Sequence, residues 1–224
     1  EVFLDPDTAH PRLMLSQDCR SVRWTETRQN LPYRSERFER LRCVLGREGF
    51  SEGRHCWAVE GEVGDETHWA MGVAAESVWR KTAIAPSPLE KIWAVQQKKG
   101  TFKVLTASRI RLSLSPVPKR IWVVLDCILE QVTFVSGANG DEIFTFRATS
   151  FPEEKIYPWL MVKKGEVHVC PKASTFPTSS PHPTSPPASE ASYPSPDTPL
   201  APLLGAAGEE TQVNSAPAQG PAND

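Results

Sequence analysis

Four runs decide the fold: RHCWAVEGEV (Arg54–Val63), HWAMGVA (His68–Ala74), IWAVQQ (Ile92–Gln97) and RIWVVLDC (Arg120–Cys127). Each is strand-length, rich in Trp, Val and Ile, and soon followed by charged residues or Gly. In the first, alternation puts Cys56, Ala58 and Glu60 on one face and His55, Trp57 and Val59 on the other, so the Trp face is the core candidate. In the fourth, Ile121 to Leu125 is apolar without alternation. That pattern predicts a strand covered on both sides, ending at Asp126 where the chain must turn.

Around these lie TFKVLT (Thr101–Thr106), RIRLSL (Arg109–Leu114), QVTFVS (Gln131–Ser136), EIFTF (Glu142–Phe146) and IYPWLMV (Ile156–Val162). Strand signals thus recur roughly every 8 to 15 residues. No uninterrupted helical stripe of about a dozen residues occurs before Cys170. The pattern predicts an all-β sandwich of two packed antiparallel sheets, with at most a short helix near Ser35–Glu39.

Composition divides the chain in two. Of the 21 Pro, 12 lie after Cys170, whereas all seven Trp and all five Cys lie at or before it. Lys and Arg number 24 against 22 Asp and Glu up to Cys170, and 1 against 5 beyond it, giving about +2 and −4. A segment of 170 residues can bury one sizeable core. The expected organisation is one domain over 1–170, with the core of its second part at 51–170, and a disordered Pro/Ser/Ala-rich acidic tail over 171–224. With only Phe176 and Tyr193 as aromatics, the tail cannot offset its ordering entropy. A solvated spacer outweighs a Pro-rich ligand for an SH3- or WW-type domain, because SPHP and SPPA are generic.

Several function classes are disfavoured. The chain has no long apolar run that reads as a membrane helix and a net charge of only −2, unlike a strongly basic nucleic-acid binder. Its five cysteines are widely spaced and form no CxxC pair, which suggests reduced thiols in the cytoplasm rather than a disulfide framework. The opening EVFLDPDTAHP begins with Glu1 and lacks a basic n-region and apolar h-region, as expected of the C-terminal piece of a longer protein. No GxSxG elbow, HExxH pair or phosphate-cradling glycine loop is present, so a binding domain rather than an enzyme is expected. His10, His55, His68, His168 and His182 are scattered and read as structural or surface residues. His168 and Cys170 share a strand face, but two donors do not make a zinc site, so neither metal nor cofactor is expected. Arg28, Arg34, Arg37, Arg40 and Arg42 are interleaved with Glu36 and Glu39, which reads as a solvated, self-compensated segment rather than a nucleic-acid surface.

Several stretches together resemble one family, the PRY-SPRY (B30.2) domain. Leu4 to Trp24 resembles the PRY signature, and Cys43 to Glu60 and His68 to Lys81 resemble the first SPRY motifs. IWAV (Ile92–Val95), VVLD (Val123–Asp126), VTF (Val132–Phe134), IFTF (Ile143–Phe146) and IYPWL (Ile156–Leu160) follow in the family's order. The resemblance covers 1–170, with a PRY segment and the start of SPRY over 1–50. It implies a curved, concanavalin-like jelly-roll sandwich without a catalytic centre. It also implies a parent of one of two kinds: a tripartite-motif ubiquitin ligase with this domain selecting substrate, or a butyrophilin-like immune receptor with it on the cytosolic side. Both connect to innate immunity, and oligomerisation would reside in N-terminal regions outside this sequence. Four positions depart from the family pattern: Lys91 and Glu130 stand where glycines are usual, Cys127 where a Tyr is, and Trp122 where a glycine follows Arg-Ile. Losing a turn glycine changes the local geometry or costs about 1 kcal/mol where φ is positive.

The resemblance further implies partner binding in a shallow end pocket, carried here by Leu41, Cys43, Gln96, Lys98, Met161 and Lys163. Gln96 and Lys98 also stand out by spacing alone, since i and i+2 on one strand face put an amide and a cation where an apolar strand ends. That pair suits a peptide backbone or a C-terminal carboxylate. A phosphorylated small molecule, as in some butyrophilins, needs several converging cations, and Ala70 stands where those members carry a basic residue. A glycan-binding sandwich is the remote alternative from another class, but the Trp residues fall in framework motifs.

Overall fold

The computed structural model describes residues 1–147, 151–172 and 176. Apart from residues 171, 172 and 176, the tail expected to be disordered lies outside the described residues. Among the described residues there are 13 strands, and all their pairings are antiparallel. They are β1 (Leu13–Leu15), β2 (Ser21–Trp24), β3 (Cys43–Leu45), β4 (Arg54–Gly61), β5 (His68–Ala75), β6 (Ile92–Lys98) and β7 (Thr101–Val104), then β8 (Ile110–Leu112), β9 (Arg120–Asp126), β10 (Gln131–Ser136), β11 (Glu142–Phe146), β12 (Ile156–Lys164) and β13 (Glu166–Val169). A seven-stranded sheet runs β1-β2-β13-β4-β9-β10-β11, and a six-stranded sheet runs β3-β12-β5-β6-β7-β8. The all-β sandwich read from the sequence is the architecture observed.

Alternation explains which faces meet. Trp57 and Val59 of β4, Trp69, Met71 and Val73 of β5, and Trp93 and Val95 of β6 all join one buried cluster between the sheets. Trp69 is fully buried, and its indole N–H donates to the Glu62 carbonyl at 2.8 Å while Phe102 meets its ring edge-on at 5.9 Å. Satisfying that N–H matters because a buried orphan donor costs about 1–3 kcal/mol. β9 is buried along its whole apolar run, as its sequence required: Ile121, Val123 and Leu125 face the main core, while Trp122 packs outward with Ala58, Val135 and Cys170.

Ser35–Glu39, where at most a short helix was expected, forms none, and the described residues carry a 3₁₀ turn at Pro88–Glu90. Nor is the Arg-rich segment wholly solvated. Arg37 is buried and donates to the carbonyls of Pro6 and Ala9, both at 2.8 Å, and Phe38 is fully buried beside it. These two side chains pin the segment to the domain, a role that charge alternation alone cannot reveal.

At two of the family's glycine positions the backbone keeps the glycine geometry. Lys91 has φ of 59° and Glu130 has φ of 48°, both left-handed. Asp126 Oδ1 accepts the N–H groups of Ile128 and Leu129 at 3.0 and 2.8 Å, so the β9–β10 turn is held by a carboxylate rather than by a glycine.

Candidate functional site

The outer face of the six-stranded sheet changes character along three adjacent strands at once. Outward positions read Ile92, Ala94, Gln96, Lys98 along β6, Ala74, Gly72, Ala70, His68 along β5, and Tyr157, Trp159, Met161, Lys163 along β12. Pairing puts them in step: Met161 lies opposite Ala70, Ala70 opposite Gln96, and His68 opposite Lys98. Each strand therefore passes from apolar to polar toward the same end of the sheet.

The apolar half is covered. Phe38, Leu41, Val78 and Leu105 close over Cys43, Ala70, Ala94, Trp159 and Met161 to make a second buried cluster. Small residues make room for it. A Cβ on Gly72 would sit 2.0 Å from the Trp93 carbonyl oxygen, and only alanines flank that position on the outward face of β5. Leu41, Cys43 and Met161, three of the six expected partner-binding residues, belong to this half and are 6%, 0% and 1% exposed. They support the surface rather than form it. Burial pushes the Cys43 thiol well above its usual pKa, so it stays protonated.

The polar half is open. Gln96 is half-buried, and Lys98 and Lys163 are exposed. Sequence spacing alone had missed His68, which completes the group: the Gln96 side-chain amide lies 2.9 Å from His68 Nε2. Partial burial, with Lys163 and Lys98 adding repulsion, pulls the His68 pKa down to about 4. The ring is thus neutral at pH 7, and the Gln96 N–H donates to the Nε2 lone pair. Lys163 is itself held below its usual pKa by desolvation, then by Arg42 and Lys98. Among the described residues no ion pair joins Lys98, Lys163 or Arg42 to a carboxylate. Next across the sheet, Lys103 lies opposite Gln96 and Arg111 opposite Lys103, extending the same sign. The only signal for His68 and Arg42 was positional, and it needed the β5–β6 and β3–β12 pairings to be read.

Among the described residues no group of three or more His, Cys, Asp or Glu converges as metal ligands would, and His168 instead meets Ser21 Oγ at 2.8 Å through Nδ1. Cys19, Cys43, Cys56 and Cys127 are free thiols.

Comparison with known proteins places this geometry. The model of the SPRY-associated domain PRY matches residues 2–50, and that of the SPRY domain matches residues 54–172. The chain belongs to the PRY-SPRY family. Mouse butyrophilin subfamily 1 member A1 is 46% identical over 151 residues, which are 67% of this chain and 28% of that protein. Mouse E3 ubiquitin-protein ligase TRIM58 is 40% identical over 147 residues, 65% of this chain and 30% of the ligase. This PRY-SPRY chain therefore spans about a third of such relatives or less. In fold it is similar to the crystallised TRIM65 PSpry domain, with a TM-score of 0.64 and 20% identity, covering 76% of this chain and 90% of that one. Stonustoxin gives the same TM-score of 0.64 at 22% identity, covering 76% of this chain and 28% of that one.

Proposed function

We propose that this PRY-SPRY domain recognises a partner protein or peptide at the open end of the six-stranded sheet, through Gln96, Lys98 and Lys163 with His68 and Arg42. The observation that carries the reading is the change, in step on three strands, from a loop-covered apolar half to a half that is open among the described residues and whose cations have no carboxylate among them in ion-pair contact. A buried half supplies rigidity, and the exposed amide and ammonium groups supply recognition of a peptide backbone and a carboxylate, including a chain's C-terminal one. Catalysis is not part of this reading, and neither nucleic acid nor a membrane is proposed as ligand.

The parent we favour is a tripartite-motif ubiquitin ligase in the cytoplasm, with this domain selecting substrate. The higher identity to the butyrophilin supports a second reading, the cytosolic domain of a butyrophilin-like receptor. Zinc-binding Cys/His spacing upstream would mark the ligase, and an apolar span of about 20 residues the receptor. A phosphate-bearing small molecule is the rival ligand, favoured by the convergence of Arg42, Lys98 and Lys163.

Proximity labelling with the whole chain, against a Gln96→Ala/Lys98→Ala variant, tests the site. A partner labelled by the first and lost by the second, with affinity reduced more than about tenfold or about 1.4 kcal/mol, is the expected result. Identical labelling and affinity overturn the site and turn attention to the Thr25–Arg42 loop. Pyrophosphate that binds the wild type and not the variant, with no protein captured, moves the reading to the small-molecule ligand.

A further inference from the structure

A second surface lies on the other sheet and owes nothing to the open end just described. Trp122 occupies one of the positions where the family usually has glycine, on the outer face of β9. Its cross-strand neighbours on that face are Ala58 and Val135. A large indole there would stand in water, yet Trp122 is only 5% exposed. What covers it comes from beyond the last strand. The Cys170 N–H donates to the Ala58 carbonyl at 2.9 Å, and the Phe176 ring lies 5.0 Å from the Trp122 ring, tilted by 58°. A cavity of about 290 Å³ remains beside this contact, lined among others by Cys56, Ala58, Trp122, Lys172 and Phe176. The Trp122 indole N–H is buried and has no hydrogen-bond acceptor among the described residues. A buried donor beside an unfilled apolar cavity suits a segment that offers an aromatic ring and a carbonyl together.

We infer that the outer face of the seven-stranded sheet is a docking groove for a short aromatic-anchored segment, and that its resident ligand is this chain's own Phe176. Two features of this chain thus belong to one device: the Trp in place of glycine, and the single Phe of the Pro-rich extension. The contacts of Cys170 and Phe176 tether that extension to the domain. Phe176 is still 43% exposed, so the ring is clasped and not sunk into a core, as befits a ligand that can leave.

The whole ¹⁵N-labelled chain tests this through its tryptophan side chains. Seven indole N–H signals are expected, one for each Trp, and Trp122→Phe identifies the relevant one. Because Phe176 is largely at the surface, Phe176→Ala should fold normally. It should move the Trp122 signal and leave the signals of buried Trp69 and Trp159 in place. Alkylation of exposed Cys56, in the groove wall, should quicken at least twofold. Adding the peptide KASTFPTS (residues 172–179) in excess to the Phe176→Ala chain should return the Trp122 signal toward its wild-type position, and the same peptide with Ala for Phe should not. A Trp122 signal unmoved by Phe176→Ala overturns the contact. A signal moved by the substitution but indifferent to the peptide at millimolar concentration overturns the docking groove.

Discussion

One sheet face carries two halves that differ in a single respect. At the covered half, outward residues of β5, β6 and β12 are small or apolar, and the chain folds a loop over them. At the open half, the same strands present His68, Gln96, Lys98 and Lys163, and no loop closes. Strand pairing is continuous across the boundary, so hydrogen bonding of the sheet does not distinguish them. Desolvation does. Covering an alanine or a methionine releases water favourably, whereas covering an unpaired ammonium costs several kcal/mol. Further covering of the open half is therefore unfavourable unless whatever covers it supplies carboxylates.

The covered half should be the sensitive one to truncation. Trp159 is fully buried beneath Phe38 and Leu41, and Trp159→Ala should cost about 3–5 kcal/mol in a denaturant titration. A loss below about 1 kcal/mol would mean that the loop is not packed on the sheet.

Acid should attack both halves through histidine. His10 helps hold the covering loop, its Nε2–H donating to the Glu39 carbonyl at 3.0 Å, and burial lowers its pKa to about 4, as partial burial does for His68. Both folded values lie below that of the unfolded chain, near 6.5, so the unfolded chain binds protons first. Stability should be complete above about pH 6.5 and fall progressively toward pH 4. For buried His10 the ceiling is about 3 kcal/mol, and for half-exposed His68 less. His10→Gln should flatten most of that slope, and an unchanged slope would contradict the burial argument.

The open half should respond in the opposite manner. Lys98→Ala and Lys163→Ala should leave the unfolding midpoint nearly unchanged, within about 0.5 kcal/mol, while weakening partner binding. Removing Lys98 or Arg42 should also raise the Lys163 pKa, readable by NMR titration of the lysine side chain. The smallest effect concerns the hairpin beside the site. Lys99 and Gly100 form its two-residue loop with φ of 50° and 75°, and Lys99→Asn should stabilise by a few tenths of a kcal/mol because Asn tolerates that geometry better. Destabilisation by the same amount would show that the Lys99 side chain contributes more than its backbone conformation costs.

Much of this was legible beforehand, for reasons that differ by residue. Alternation in RHCWAVEGEV and the unbroken run Ile121–Leu125 are local patterns, and both told which faces are buried. Gln96 and Lys98 were legible because i and i+2 share a face whatever the fold. His68 and Arg42 were not, since their proximity to Lys98 and Lys163 depends on register between strands distant in sequence. Leu41, Cys43 and Met161 came from family resemblance, which aligns positions but does not say which are roofed over. Lys91 and Glu130 show a related limit: the missing glycines were visible, yet the chain kept the left-handed backbone. At Ser35–Glu39, where at most a short helix was expected, none forms, and Arg37 and Phe38 anchor the segment to the domain.

Recognition on the open half rather than on the roof is testable by titrating the captured partner into the ¹⁵N-labelled chain and following each amide. The largest shifts should fall on His68, Gln96, Lys98 and Lys163, and they should vanish in the Lys98→Ala/Lys163→Ala double variant. Shifts centred instead on the Thr25–Leu41 loop, or on exposed Trp79 and Leu89 where β5 ends and β6 is about to begin, and persisting in that variant, would contradict it.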